Sequence, residues 1–264
     1  MIPRPCDVWV LPTGGRSPRV FVFDELPSTN STATELARTE AVPFAVLARF
    51  QTAGRGQYGR AWLAPPDSSL LLSWAVRLPA ELARPVALTA LTTVAVAETV
   101  YSLTGIPTMI KWPNDILLRG KKVCGTLIEQ TTATIIGIGL NLNQTPDDFS
   151  HAGLDAATSL RVLTGRVFEV RNVAECLLGK LIDELDRLHA GDTVSLEASW
   201  KSRFGLLGQP VVIECHDGSR VVGRLRNLAF ECVELDTQHG TLRLIPESIR
   251  QIRSVAGPLP PSGP

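Results

Sequence analysis

Residues 51–62, QTAGRGQYGRAW, place three glycines, two arginines, two glutamines and a tryptophan within a dozen positions. The stretch is entered from one apolar run, FAVLARF at Phe44 to Phe50, and left into another, SLLLSWAVRL at Ser69 to Leu78. It therefore reads as a loop anchored at both ends by strands. Gly54, Gly56 and Gly59 allow positive φ and close approach of main chain to a ligand, while Arg55 and Arg60 offer planar cationic forks suited to phosphate or carboxylate. An anion held against main chain is the chemistry this suggests. The closing Gly-Lys-Ser/Thr of a P-loop is missing, and the glycine spacing and basic content differ from the dinucleotide fingerprint. An exposed basic turn would account for any one of these residues alone, but not for their density.

The length of 264 residues allows one large domain or a large and a small one. Basic and acidic residues balance at 26 each, so no overall field draws the chain to nucleic acid or an anionic membrane. Cys6, Cys124, Cys176, Cys215 and Cys232 have no paired spacing, and the four histidines are scattered, so neither a disulfide framework nor a zinc site is expected. The N-terminus has no basic head followed by an apolar run, and no stretch is read as reaching the roughly 18 apolar residues of a membrane span. The expectation is a cytoplasmic protein in a reducing compartment.

Residues 1–18, rich in Pro, Gly and Arg, read as a loose extension without a helix-turn-helix. Val20 to Phe23 reads as a strand, and Ser28, Thr29 and Asn30 can cap a helix from about Ser31 to Arg38 or contact a polar ligand head group. Pro85 to Leu103 reads as a helix buried on the sheet. Residues 110–129, IKWPNDILLRGKKVCGTLIE, read as a meander of strands with a lysine at each end, Lys111 and Lys122. In IIGIGLNLN, Ile135 to Asn143, glycines alternate with apolar residues and make room for a group to approach the strand. Helices are expected from Thr158 to Gly165, Asn172 to His189 and Ser195 to Arg203. After Gly208 the short runs VVIEC, RVVGRLRNLA, CVELDT and TLRLI read as a small barrel. The organisation expected is thus an extension at 1–18, a main domain at 19–207, a barrel at 208–254 and a disordered tail at 255–264.

With GRGQYGRAW, KWPNDILL, KKVCGTLIE and GIGLNLN in this order, the chain resembles the biotin protein ligases, of the short kind without an N-terminal DNA-binding domain. The motifs cover about Phe21 to Asn143, and the resemblance weakens toward the C-terminus. It implies an α+β fold: a mixed β-sheet flanked by helices, like class II aminoacyl-tRNA synthetases, with a small C-terminal SH3-like β-barrel. It also implies a two-step reaction in which biotin and ATP give biotinyl-5'-AMP, with Mg2+, and the biotinyl group passes to a lysine of a biotin carboxyl carrier domain. No protein nucleophile is needed, in keeping with the absence of a Cys-His or Ser-His pairing.

The same resemblance assigns roles. Arg55 would sit on the carboxylate and phosphate, Lys122 beside the reacting carboxylate oxygen, and Lys111 with Asp115 on the triphosphate and its Mg2+. Ser28, Thr29, Asn30, Gln51, Gly54, Gly56 and Gln57 would join Arg55 and Lys122 around biotin. Arg60, Trp62, Asn114 and Asn141 would join Arg55, Gln57, Lys111 and Asp115 around the nucleotide, with Trp62 over the adenine. Gln57 stands where many members carry Arg, so binding is expected to survive while retention of the adenylate weakens. A lipoate or octanoate ligase would show an Arg-Arg and triple-glycine loop instead. A non-enzymatic biotin sensor, and a barrel that binds peptide or nucleic acid, are further alternatives; monomer and homodimer both stay open.

Overall fold

The structure, a computed structural model, describes residues 2–12 and 17–255. Its strands and helices run in the order β1 (Asp7–Val10), β2 (Arg19–Leu26), α1 (Thr29–Leu36), β3 (Phe44–Gln51), β4 (Ser69–Val76), α2 (Pro85–Thr104), β5 (Thr108–Lys111), β6 (Asp115–Leu118), β7 (Lys121–Gln130) and β8 (Thr134–Asn141). Four helices follow, α3 (Pro146–His151), α4 (Leu160–Thr164), α5 (Val170–His189) and α6 (Thr193–Ser202). The chain ends in β9 (Pro210–Cys215), β10 (Arg220–Leu228), β11 (Val233–Thr237), β12 (Gly240–Leu244) and β13 (Ile249–Ser254).

The first eight strands form one mixed sheet in the order β1-β2-β3-β4-β8-β7-β6-β5. Only β2 and β3 are parallel, joined by the α1 crossover; every other neighbouring pair is antiparallel. Successive side chains of a strand point to opposite faces, and β3 shows what each face is for. Ala45 and Leu47 pack into the large core with α2, α5 and α6, while Phe44, Val46 and Ala48 pack into a smaller core that includes Ala33 and Ala37. That second face is covered by α1 at one end only. Toward Leu71, Gly137 and Gly139 it lies open, and there the functional cavity forms.

Several expectations change. Asp7–Val10, read as part of a loose start, pairs with β2 as the edge strand of the sheet; a Trp9 and Val10 strand has no sequence cue beyond its length. Residues 13–16 and 256–264 of the expected extension and tail lie outside the described residues. The α2 helix is long and apolar enough to cross a bilayer, contrary to the reading that no stretch is, and 72% of its most apolar window is buried within the fold. Helix α3 had no counterpart in the sequence reading; its Thr145 cap and Asp148 form a capping box that the sequence TPDD spells out.

The last five strands form an antiparallel sheet in the order β12-β11-β10-β9-β13, one strand more than the four apolar runs announced. It is tied to the main sheet by an aromatic contact chain, Phe204–Trp112–Trp200–Phe230, with centroid spacings of 5.8 to 6.2 Å. Trp112 Nε1 also donates to the Ile249 carbonyl at 3.0 Å, so the Trp-Pro-Asn turn is anchored to β13.

Candidate active site

A cavity of about 290 Å³ opens on the half-bare face, walled by the β2–α1 junction, the glycine-arginine loop, β7, β8 and the segment after α3. Its floor is a hydrogen-bonded group of small polar side chains. Ser28 occupies the N-cap position of α1 and lines the cavity, but its side chain makes no capping hydrogen bond, so the expected capping role falls away. Thr29 donates to Gln51 Oε1 through its backbone N–H at 2.7 Å and its hydroxyl at 3.1 Å. Ser73 Oγ lies 2.6 Å from Asn30 Oδ1 and 2.8 Å from Thr29 Oγ1. Buried polar groups cost free energy unless paired, so this group is held as a unit.

The loop closes on itself as a small hairpin. Trp62 N–H donates to the Gly54 carbonyl at 2.9 Å and Gly56 N–H to the Arg60 carbonyl at 2.7 Å. At its tip Tyr58 takes φ 58°, a left-handed conformation that a bulky residue adopts only when held. Its ring lies 5.8 Å from that of His216 and 5.4 Å beneath the Arg250 guanidinium, so the C-terminal sheet touches the loop. Trp62 lies across the cross-strand pair Gly125 and Gly139. A methyl at Gly139 would stand 2.5 Å from Trp62 Cε2, and one at Gly137 would collide with the Asn30 amide. The glycines of β7 and β8 make room for these two side chains.

The charged groups come in pairs. Lys122 Nζ lies 2.6 Å from Asp115 Oδ1 and 5.6 Å from the Trp62 ring centre. Its backbone is fixed on both sides, N–H to the Ala156 carbonyl and carbonyl to the Thr158 N–H. Arg55 Nη2 lies 2.8 Å from Glu129 Oε2. Arg60 and Gln57 line the cavity without a side-chain hydrogen bond among the described contacts, whereas Gly54 supports the loop through its carbonyl without lining the cavity. Lys111 is exposed and stands outside the lining: it pairs across the strands with Asp115 and shares its face of the sheet, but it sits on the edge strand β5, one strand further from the cavity.

Asn114 donates to the Thr126 carbonyl, and Asn141 donates to the Thr158 carbonyl at 3.0 Å while accepting from Gln144 at 2.9 Å. Both line the cavity, but their amides already bind main chain. No group of three or more His, Cys, Asp or Glu suited to a metal occurs among the described residues. Cys124 is fully buried, and burial pushes its thiol well above the ordinary range, so it is no nucleophile.

Sequence reasoning missed Ser73, Glu129, Gln144 and Phe149. Strand periodicity from Gly125 through Leu127 would have put Glu129 on the cavity face; Ser73 carries no cue outside the fold.

Residues 22–143 match the biotin/lipoate A/B protein ligase family. The chain is 33% identical over 190 residues to the biotin–[acetyl-CoA-carboxylase] ligase of Mycobacterium tuberculosis, covering 69% of each chain. It is 40% identical over 166 residues to the bifunctional ligase/repressor BirA of Bacillus subtilis, where the match spans 60% of this chain and 51% of that one, about half the relative's length. Among solved structures, the Aquifex aeolicus biotin protein ligase in complex with biotin and ATP superposes with a TM-score of 0.75 at 26% identity, covering 89% of this chain and 98% of that one.

Proposed function

Because the chain belongs to the biotin protein ligase family, we propose that it activates biotin with ATP and transfers the biotinyl group to a lysine of a biotin carboxyl carrier domain. The observation that carries the reading is that Arg55, Arg60 and Lys122 reach one cavity whose floor is built of Ser28, Thr29, Asn30 and Gln51. An amide-and-hydroxyl floor suits the ureido ring, and the cations suit two reacting anions. A carboxylate oxygen of biotin bonds to the α-phosphorus as the bond to the bridging oxygen breaks and pyrophosphate leaves. The acceptor amine then bonds to the acyl carbon, AMP departs with the bonding pair, and the amine loses a proton. Bringing carboxylate and polyphosphate together requires fixed positive charge in a water-poor pocket, which Lys122 and Arg55 supply.

Mg2+ fits as a cation carried in on the phosphates. Such ions take one or two carboxylates and keep waters and phosphate oxygens, and Asp115 is the one carboxylate lining the cavity among the described residues. We read the C-terminal sheet as an SH3-like barrel that supports the loop through Tyr58, and the five free thiols as fitting a reducing, cytoplasmic setting. Gln57 in place of arginine favours easier escape of the adenylate.

ATP–pyrophosphate exchange with biotin or lipoate in parallel tests the reading. Biotin-dependent exchange is expected; exchange with lipoate would move the protein to the sister activity, and exchange with neither would leave a binding role.

A further inference from the structure

We infer that Glu129 is a positioning residue of this site, one carboxylate that fixes both the Arg55 guanidinium and the Asn30 amide throughout turnover. The inference rests on the biotin-activating reading. Glu129 follows Gly125 and Leu127 at two-residue steps on β7, which puts its side chain on the cavity face, just beyond the lining. A single oxygen, Oε2, receives Arg55 Nη2 at 2.8 Å and Asn30 Nδ2 at 2.8 Å.

An anion beside a cavity for anionic substrates repels them unless its charge is already engaged. Here it is engaged twice on one atom. Among the described residues the Arg55 side chain has no other short contact: Ser31 Oγ lies 3.4 Å from the same Nη2, and the hairpin fixes its backbone but not its guanidinium. Holding Nη2 leaves the remaining guanidinium N–H groups for a carboxylate or phosphate. On the other side, Glu129 accepts from the Asn30 amide nitrogen, which keeps Oδ1 turned toward Ser73. Without that acceptor the amide nitrogen keeps only the longer contact to the Leu127 carbonyl at 3.3 Å, and the floor is held less firmly.

The rival mechanism is a latch in which Glu129 stands in for the substrate carboxylate and releases Arg55 on binding. The two predict opposite signs. Glu129→Gln keeps size and an acceptor oxygen but drops the charge; Glu129→Ala drops both. In the full chain, with circular dichroism confirming folding, exchange is measured against biotin concentration beside the wild type. Positioning predicts that KM for biotin rises about tenfold in Glu129→Gln, the change expected from one lost charge-assisted hydrogen bond, and further in Glu129→Ala, with kcat within about threefold. It also predicts faster trypsin cleavage after Arg55 in both ligand-free variants. An unchanged or lowered KM in Glu129→Gln would overturn the inference. Absence of biotin-dependent exchange in the wild type would overturn the functional reading instead, and the trypsin comparison would then decide the Arg55 tether by itself.

Discussion

Gly139→Ala tests whether the glycine platform under Trp62 is what places the indole. The added methyl would stand 2.5, 2.7 and 2.9 Å from Trp62 Cε2, Cζ2 and Cδ2, where ordinary contacts begin at 3.4 Å, so the ring must lift by about 0.9 Å. The backbone N–H of Trp62 is bonded to the Gly54 carbonyl at 2.9 Å, so the main chain stays in place and the displacement falls on the indole. Overpacking of this kind costs about 1–3 kcal/mol, and a displacement near 1 Å at a reacting centre costs about a hundredfold in rate. Gly125→Ala is the graded comparison: its methyl would meet Trp62 Cζ3 at 3.1 Å and the mobile Lys122 Nζ at 3.1 Å, contacts relieved by a few tenths of an ångström. The assay is kcat/KM for ATP in pyrophosphate exchange at saturating biotin, with urea unfolding alongside. A fall of about a hundredfold for Gly139→Ala and less than about fivefold for Gly125→Ala is expected. Wild-type kcat/KM in folded Gly139→Ala would refute the reasoning, since the indole would then tolerate a displaced seat.

Gln57→Arg is expected to slow escape of biotinyl-adenylate, measured by release from preloaded protein; an unchanged rate would count against a charge at this position as the retaining group. Tyr58→Ala removes the ring contacts with His216 and Arg250, together worth about 1–2 kcal/mol, so trypsin cleavage after Arg60 and adenylate escape should both rise several-fold, while Tyr58→Phe stays near wild type. In the capping box of α3, the Thr145 N–H at 2.8 Å and then the Thr145 hydroxyl hold the Asp148 carboxyl below its usual value. A depressed folded value stabilises above the ordinary carboxyl pKa and is lost as pH falls through the folded value, so Asp148→Ala should cost about 1 kcal/mol in neutral urea titrations and progressively less in acid.

Much of the fold was legible because its signals are local. The apolar runs at Phe44 and Ser69 became β3 and β4, and the Ala- and Val-rich segment from Pro85 became α2 nearly to the residue. The Gly-apolar alternation in β8 announced a close approach, and Asn30 and Trp62 make it. What stayed hidden depends on partners distant in sequence. Asp7–Val10 is a strand because β2 offers an edge, and Glu129 belongs to the site because Arg55 and Asn30, 74 and 99 residues earlier, reach it. The place of Lys111 likewise depends on strand order: pairing puts it on the face of Asp115, but on the edge strand β5 it ends outside the cavity lining.

Arg55 and Lys122 are each paired with a carboxylate, yet the two pairings differ in kind. Asp115 contributes Oδ1 to a single partner, Lys122, whereas Glu129 binds donors from two separate elements on one oxygen. Like charges crowded in one cavity repel, so pairing each with a carboxylate lowers the cost of bringing the two cations together. Under the proposed function, Lys122 would trade Asp115 for a substrate oxygen, and Asp115 would then be the residue to hold a magnesium ion, which would offset charge on the phosphates. Glu129 is less free to trade, because moving its oxygen would release both Arg55 and the Asn30 amide, which would keep only the Leu127 carbonyl at 3.3 Å. The proposed division of labour follows from this difference, with Asp115 moving during the reaction and Glu129 staying in place.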